Sequence, residues 1–305
     1  KAISGAGVFM DYRSDIPLST VAMWLGSFQE NESIYGRYYV FSAEKRNIAI
    51  YVKNADTGKI YFAQTDVSAE ALKNSMATLS CDKVSFAAEK EEEDFRSIVH
   101  ETIIAEQAKQ LPILSAFNSV LNFSTETSAA ALEVFGMNDV TPEKYSEQDG
   151  TEVYIADRVT LKISPDGTLS YTDTREETDE TLGIAVESDG EVPTLAEKTE
   201  AARELAATFA SKLQSEGGIY IASVSEGTNG TEVIFGRHIG GVPVDMRGTL
   251  YFANVLIKGN SIRSARFNLC GYKKTEKLAS YVPERLVAAA FRGSEKKGDL
   301  NIRYR

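Results

Sequence analysis

The sequence predicts an α+β protein in which antiparallel sheets carry helices on one face. Short runs of β-branched and aromatic residues, bounded by Gly, Pro, Asn and Asp, indicate strands and outnumber the segments with helical periodicity. These runs follow one another without intervening helices, which favours antiparallel over parallel sheets. A chain of 305 residues has room for two or three domains. We place three α+β units at residues 1–110, 111–190 and 191–305, and we expect the second and third units to be related.

The first unit is rich in predicted strands. Three of them lie at residues 36–43, 48–53 and 59–64. The loop 54–58 ends in Gly58, which supplies the positive φ that a short hairpin turn needs. Ser68 is expected to cap a helix that runs to Leu79.

The chain from Phe95 onward has apolar residues at helix-like spacing. Pro112 interrupts or restarts this predicted helix, because its ring does not fit a helix interior without strain. A short helix over 129–135 should end at Gly136, a residue type that favours the left-handed position after a helix. The predicted strands of the second unit then follow at 151–156, 158–163 and 168–172.

The third unit begins with the clearest helix signal in the chain. Thr194 and Glu197 have the spacing of a capping box, in which each side chain bonds the other residue's backbone N–H. An apolar stripe follows, and Gly217 and Gly218 end it. Four strands and a final helix are then predicted, at 219–224, 231–235, 249–257, 261–269 and 283–291.

A short internal repeat links the second and third units. The segment Gly150-Thr-Glu-Val-Tyr-Ile-Ala156 is similar to Gly230-Thr-Glu-Val-Ile-Phe-Gly236. In each unit, helical sequence precedes the segment and a predicted hairpin follows it. The common order indicates two related α+β units.

Charge and hydropathy exclude several classes of protein. The net charge of −11 disfavours binding to the phosphate backbone of nucleic acids, so we expect no nucleic-acid partner. No stretch approaches the roughly 20 consecutive apolar residues of a membrane span. Because the chain starts at Lys1 and not at Met, we interpret it as a fragment of a longer protein.

No catalytic, cofactor or metal site is predicted. His100-Glu-Thr-Ile-Ile104 starts like a zinc-protease helix but lacks the second His one turn later. His238, the other histidine, is expected to be a surface or hydrogen-bonded residue. Three Ser-x-x-Lys tetrapeptides lack the motifs that accompany them in penicillin-binding enzymes; they begin at Ser42, Ser80 and Ser294.

The two cysteines and the acidic runs also have ordinary explanations. Cys81 and Cys270 are expected to be partly buried free thiols, although one long-range disulfide between them stays open. The acidic runs at 89–94 and 176–180 are expected to be solvated surface. A weak cation site or a patch for a basic partner is the alternative.

Patches between residues 110 and 290 resemble the YycH family. They comprise Gln110-Leu-Pro-Ile-Leu114, Ser164-Pro-Asp-Gly167 before Tyr171, and Gly241-Val-Pro-Val244 after a strand. The order of these patches carries the resemblance, and Gly236 before Arg237 departs from the Phe expected there. The related YycI family has the same type of domain.

The resemblance implies a non-enzymatic, extracytoplasmic regulator from Gram-positive bacteria. Members of the family are held in the cell membrane by an N-terminal anchor, which we expect to lie outside this fragment, and modulate the sensor histidine kinase of a two-component system that controls cell-wall metabolism. The expected partner is that kinase or a second anchored regulator. Two alternatives stay open: a cell-envelope enzyme with an unlocated carboxylate pair, and a module that binds a peptide or a wall polymer.

Overall fold

The structure is a computed structural model that describes most of the chain. The described residues are 7–27, 32–44, 46–78, 84–105, 110–118, 125–175, 183–213, 215–245, 251–280 and 282–293. Antiparallel sheets with a few helices confirm the predicted α+β class.

The first region forms a four-stranded antiparallel sheet in the order β1-β2-β3-β4. Its strands are β1 (Gly7–Pro17), β2 (Tyr35–Glu44), β3 (Asn47–Lys53) and β4 (Ile60–Ser68). Helix α1 (Leu18–Met23) follows β1, and α2 (Ala69–Thr78) follows β4. The Ser68 hydroxyl accepts a hydrogen bond from the Ala71 N–H at 3.2 Å, as a helix cap does.

A small ribbon and a long strand come next in the chain. The ribbon pairs β5 (Val84–Phe86) with β6 (Ile103–Ala105), and a short 3-10 helix at Glu93–Ser97 lies between these strands. Residues 110–118 form β7 (Gln110–Asn118). The helix predicted around Pro112 is therefore wrong.

The next two units share a single large sheet, and each packs one helix against it. The second unit has α3 (Thr125–Val134) and four strands, β8 (Glu143–Ser146), β9 (Glu152–Ala156), β10 (Val159–Ile163) and β11 (Thr168–Asp173). The third has α4 (Leu195–Lys212), β12 (Gly218–Gly227), β13 (Gly230–Ile239), β14 (Val242–Val244), β15 (Ala253–Lys258) and β16 (Ser261–Asn268). Then come β17 (Cys270–Ser280) and α5 (Glu284–Arg292).

The two units join where β11 of the second pairs with β16 of the third. The nine-stranded sheet has the order β12-β13-β15-β16-β11-β10-β9-β8, with β14 paired to β13. The junction is the antiparallel pair of β11 and β16, in which Tyr171 lies opposite Ala265. Both units thus contribute a helix followed by four consecutively paired strands. The boundary between them near residue 190 stays a prediction.

The repeated segments lie at corresponding strands but face different ways. Gly150-Thr-Glu-Val153 leads into β9, and Gly230-Thr-Glu-Val233 begins β13. Opposed residues in antiparallel strands point to the same face. The row of opposed residues that starts at Val153 runs through Lys162, Ser170, Arg266 and Asn254 to Ile234. Val233 therefore faces the other side, so a superposition that aligns these faces needs a one-residue shift.

Helices α3 and α4 cover the same face of the sheet through aromatic contacts. The Phe135 ring, just after α3, stacks on Tyr171 with ring centres 4.3 Å apart. Phe209 of α4 contacts Phe267 at 4.4 Å and Phe135 at 5.6 Å. These rings are almost fully buried and form the centre of the core, which spans both units.

The first region docks on the third unit through polar contacts. The Trp24 indole N–H donates to Glu200 of α4 at 2.7 Å, and the Ser14 hydroxyl donates to the Ile221 carbonyl of β12 at 2.6 Å. At the start of α4, Glu32 accepts from the Leu195 N–H at 2.7 Å. The predicted capping box is confirmed by Thr194 and Glu197, so several acceptors stabilise this helix end.

Strand β17 pairs with a strand from the middle of the sequence. It pairs with β7 in a two-stranded ribbon, from Cys270 opposite Asn118 to Ser280 opposite Gln110. Pro112 is compatible with β7 because β7 is an edge strand. On the side without a neighbouring strand, the missing N–H of proline removes no inter-strand hydrogen bond. Apolar spacing suggested a helix here, but pairing with β17 determines the structure. Cys270 is a buried free thiol, and Cys81 lies outside the described residues.

Candidate interaction surface

The two histidines and the Ser-x-x-Lys motifs lie in separate parts of the chain. His100 is exposed in a turn, whereas His238 lies half-buried on β13. Of the three Ser-x-x-Lys motifs, the structure describes Ser42 but not Lys45, and the other two motifs lie outside the described residues. Within the described ranges no group of three His, Cys, Asp or Glu side chains could hold a metal ion.

One carboxyl group has the direction of pKa shift expected of an acid catalyst. Asp15 is exposed on β1, but partial desolvation still raises the pKa of its carboxyl group, while the charge of Arg37 opposes this shift and the charge of Asp56 adds to it. Nearby, burial acts to raise the pKa of Asp11, but hydrogen bonds from Arg37 and the Arg13 N–H hold it below its usual value. Asp15 alone does not make the paired carboxylates of the enzyme alternative.

A groove lies at the end of α4, and the two lysines that line it already interact with other side chains of the protein. Its volume is about 660 Å³, and the end of α4, residues 215–219 and the start of β17 line it. The Lys274 amine lies 2.9 Å from the Glu216 carboxylate. The Lys273 amine lies 5.1 Å from the centre of the Phe117 ring. We therefore assign no ligand to this groove.

The outer face of the four-stranded sheet carries a row of apolar side chains. Phe9, Val40, Tyr51 and Phe62 lie directly opposite one another on β1, β2, β3 and β4. Phe86 of β5 covers one end of this row, with its ring centre 4.9 Å from that of Phe9. At the other end Phe62 is 53% exposed. The outer-face row is thus half covered and half open to solvent.

Residues 84–105 and 282–293 form a small lobe beside this row. Its core consists of Ala87, Phe95, Ile98, Ile104 and Ala288, with Phe291 packed against it. The Lys53 amine, on the outer face of β3, lies 2.6 Å from Glu101 of the lobe. The small lobe therefore adjoins the outer-face row.

Helix α5 presents an uncovered apolar surface on the small lobe. Ala288 is fully buried against the lobe, whereas Leu286 is 62% exposed and Val287 is 38% exposed. Val282, just before the helix, is 61% exposed. Within the described part of the chain, one edge of the apolar side of α5 packs against the lobe and the rest stays open. This is typical of a helix that packs against a second partner.

Acidic side chains flank this helix. Arg292 at the end of α5 contacts Glu93 at 3.0 Å and Asp94 at 3.2 Å, which places the acidic run 89–94 next to the helix. Its four glutamates are exposed: Glu89, Glu91, Glu92 and Glu93. The run was predicted to be solvated surface, with a weak cation site or a patch for a basic partner as the alternative. The second acidic run, 176–180, lies outside the described residues.

Sequence reasoning named no anchor residues, and the structure now supplies candidates. The predicted helix 283–291 corresponds to α5, but its sequence does not tell which apolar residues the lobe covers. Residues 59–64 were predicted to form a strand, but either face of that strand was a candidate for burial. Only the packed structure distinguishes exposed Phe62 from buried Ala63.

Comparison with solved structures shows a similar fold. The structure resembles that of YycH from Bacillus subtilis with a TM-score of 0.52 and 12% sequence identity, over 95% of this chain and 71% of that one. No family model matches the sequence, and no curated protein matches it. Among the described residues, no helix is both long enough and apolar enough to cross a bilayer.

Proposed function

We propose that this chain is a non-enzymatic, extracytoplasmic regulator that acts by binding another protein. The observation that carries the proposal is the YycH fold, which extends over 95% of the chain. Its expected partner is a sensor histidine kinase that controls cell-wall metabolism in a Gram-positive bacterium, or a second anchored regulator. The membrane anchor of the whole protein belongs to the same proposal.

The exposed surface is suited to contact with a protein. Interfaces are enriched in aromatic and apolar residues at their centre and carry charge at the rim. Phe62 and Leu286 are large and more than half exposed, and exposed glutamates lie around the small lobe. A few such anchors supply most of the binding energy in known interfaces.

The experiment uses the full-length protein in membranes together with the sensor kinase and the regulator encoded beside it. Crosslinking followed by mass spectrometry should capture a specific complex, and the rate of kinase autophosphorylation should change when the regulator is present. Membrane fractionation and protease accessibility in intact cells should place the protein in the membrane, facing outward.

The enzymatic alternative is tested in parallel. Purified protein is incubated with wall fragments and peptides, and the products are separated by chromatography. Hydrolysis that is lost in Asp15→Asn, combined with failure to capture either partner, would replace the regulatory proposal with an enzymatic one. Glu143→Gln is the matched control, because Glu143 is an exposed carboxylate on β8.

A further inference from the structure

We infer that the exposed side of α5, together with the acidic run 89–94, is the docking site for a basic amphipathic helix of the partner protein. This inference rests on the proposed function and specifies the chemistry of the partner segment. It combines an apolar surface with charge at its border, as binding of an amphipathic helix requires.

The apolar component comes from the orientation of α5. Ala288 is inserted into the core of the small lobe, and Leu286 on another side of the helix is 62% exposed. Ala289 and Ala290 are also exposed. Small residues allow a second helix to approach closely, and Leu286 and Val287 are large enough to act as anchors. Nine residues of helix extend over about 13 Å, so the partner segment needs two to three turns.

The carboxylates of the acidic run that lack an ion pair among the described residues favour a cationic partner segment. Arg292 bridges Glu93 and Asp94, which places carboxylates at the end of α5. Glu91 and Glu92 are exposed, and neither forms an ion pair with another described residue. Lys and Arg side chains next to the apolar stripe of a partner helix would lie near these carboxylates and would accelerate and orient docking.

The same charges argue against a lipid surface as the occupant. A basic residue near an anionic membrane gains about 1 kcal/mol, so an acidic residue is disfavoured to a similar degree. Arg292 and Arg96 offset the charge of Glu93. Glu91 and Glu92, which have no described ion pair, would together oppose binding to anionic lipid by about 2 kcal/mol, on the order of the gain from one buried leucine. A cationic protein segment satisfies both the apolar and the acidic parts of the surface.

The test is site-specific photocrosslinking in the full-length protein, co-expressed with the sensor kinase and the neighbouring regulator. A photoreactive phenylalanine analogue replaces Leu286 in one strain and Val192, which is 70% exposed, in the control strain. We expect at least tenfold more partner crosslinking from position 286. Mass spectrometry should map the crosslink to a partner segment with apolar residues three and four apart and Lys or Arg beside them.

Variants of the surface then measure its contribution to affinity in titrations with the purified partner. Leu286→Ser, and separately Glu91→Lys with Glu92→Lys, should each raise the Kd at least tenfold. Glu143→Lys with Glu187→Lys is the matched control, because it changes net charge equally at two exposed sites elsewhere, and its Kd should change less than twofold. Thermal melts should show that the variants stay folded, since all these side chains are exposed.

Several outcomes would overturn the inference. Position 286 could crosslink to lipid, to residues 294–305 of the same chain, or to an acidic partner segment. Alternatively, the wild-type protein could form the complex and the variants of the small lobe could bind the partner with an unchanged Kd. In that last case the proposed regulatory function would stand and only this surface would be excluded. If the wild-type protein captures no partner, both proposals fail.

Discussion

Arg237 lies in the interior with its guanidinium carbon 5.5 Å from the centre of the Phe252 ring. It is 1% exposed, and its Nη2 donates to the Glu216 carbonyl at 3.0 Å. No described residue accepts a hydrogen bond from its Nε or Nη1. Burial lowers the pKa of this guanidinium, which is the direction expected for a cation removed from water without a carboxylate partner.

We expect Arg237→Met to leave the free energy of unfolding unchanged or to raise it by about 1–3 kcal/mol. Replacing a buried charged group by an apolar residue of similar length removes its desolvation cost. Urea unfolding followed by circular dichroism measures the change. A loss of more than about 2 kcal/mol would mean that the bond to Glu216 and the contact with Phe252 outweigh that cost.

The neighbouring His238 should make stability depend on pH. Burial, and secondly the charge of Arg237, hold the pKa of His238 below its ordinary value of 6.5. As pH falls, the His238 imidazole therefore takes up a proton in the unfolded chain before it does so in the folded protein. The free energy of unfolding should decline as pH drops below about 6.5. His238→Gln should flatten the curve of melting temperature against pH between pH 5 and 7.

The electrostatic effect of Arg237 on His238 can be measured directly. Arg237→Met should raise the His238 pKa in an NMR titration, and an unchanged value would exclude the proposed electrostatic coupling.

A buried ion pair lies at the junction of the two units. Arg175 donates two side-chain hydrogen bonds to Asp173, at 3.0 and 2.7 Å, and Arg263 lies 3.7 Å from the same carboxylate. Burial acts to raise the pKa of Asp173, but the bonds and charges of the two arginines hold it below 3.8. The stabilisation is therefore present above pH 3.8 and lost as pH falls through the lower folded-state value.

We expect Asp173→Asn to lower the free energy of unfolding by about 3–5 kcal/mol, because it leaves buried Arg175 without its carboxylate. The double variant with Arg175→Met should recover part of that loss. Urea titrations of both proteins make the comparison. Equal stability of Asp173→Asn and the wild type would show that solvent already screens this pair.

Two glycines with positive φ allow the stability cost of backbone strain to be measured separately from the cost of a steric clash. Gly217 has φ of 92° and Gly240 has φ of 58°. A Cβ at Gly217 would lie 2.0 Å from the His238 carbonyl oxygen, whereas a Cβ at Gly240 would meet nothing within 4 Å. Gly240→Ala should cost about 1 kcal/mol from its left-handed φ alone. Gly217→Ala should cost at least 2 kcal/mol more, since backbone must move. Equal melting temperatures would contradict this difference.

Local patterns in the sequence were sufficient to predict most elements. The capping box at Thr194 and the hairpin glycine at position 58 depend on neighbours a few residues away, and both were confirmed. The ribbon of β7 and β17 was missed, because its strands are about 160 residues apart and β17 is highly charged. Pairing between β11 and β16, which joins the two units in the middle of the large sheet, likewise depends on tertiary contacts that no short window contains.

The candidate surface was only partly predictable for the same reason. The sequence indicated that 283–291 is a helix, but it did not indicate that Ala288 is the buried contact and Leu286 the exposed one. The acidic run at 89–94 was visible, but its position beside α5 follows from the contacts of Arg292.

The position of α5 has a consequence for biosynthesis. Phe95 and Ile98 obtain their covering residue, Ala288, only when the chain has grown by about 190 more residues. At a translation rate of roughly 5–20 residues per second this takes about 10–40 s. During that interval the nascent chain exposes the apolar core of the small lobe, and chaperones and proteases have access to it. Formation of α5 thus determines when this region becomes protected.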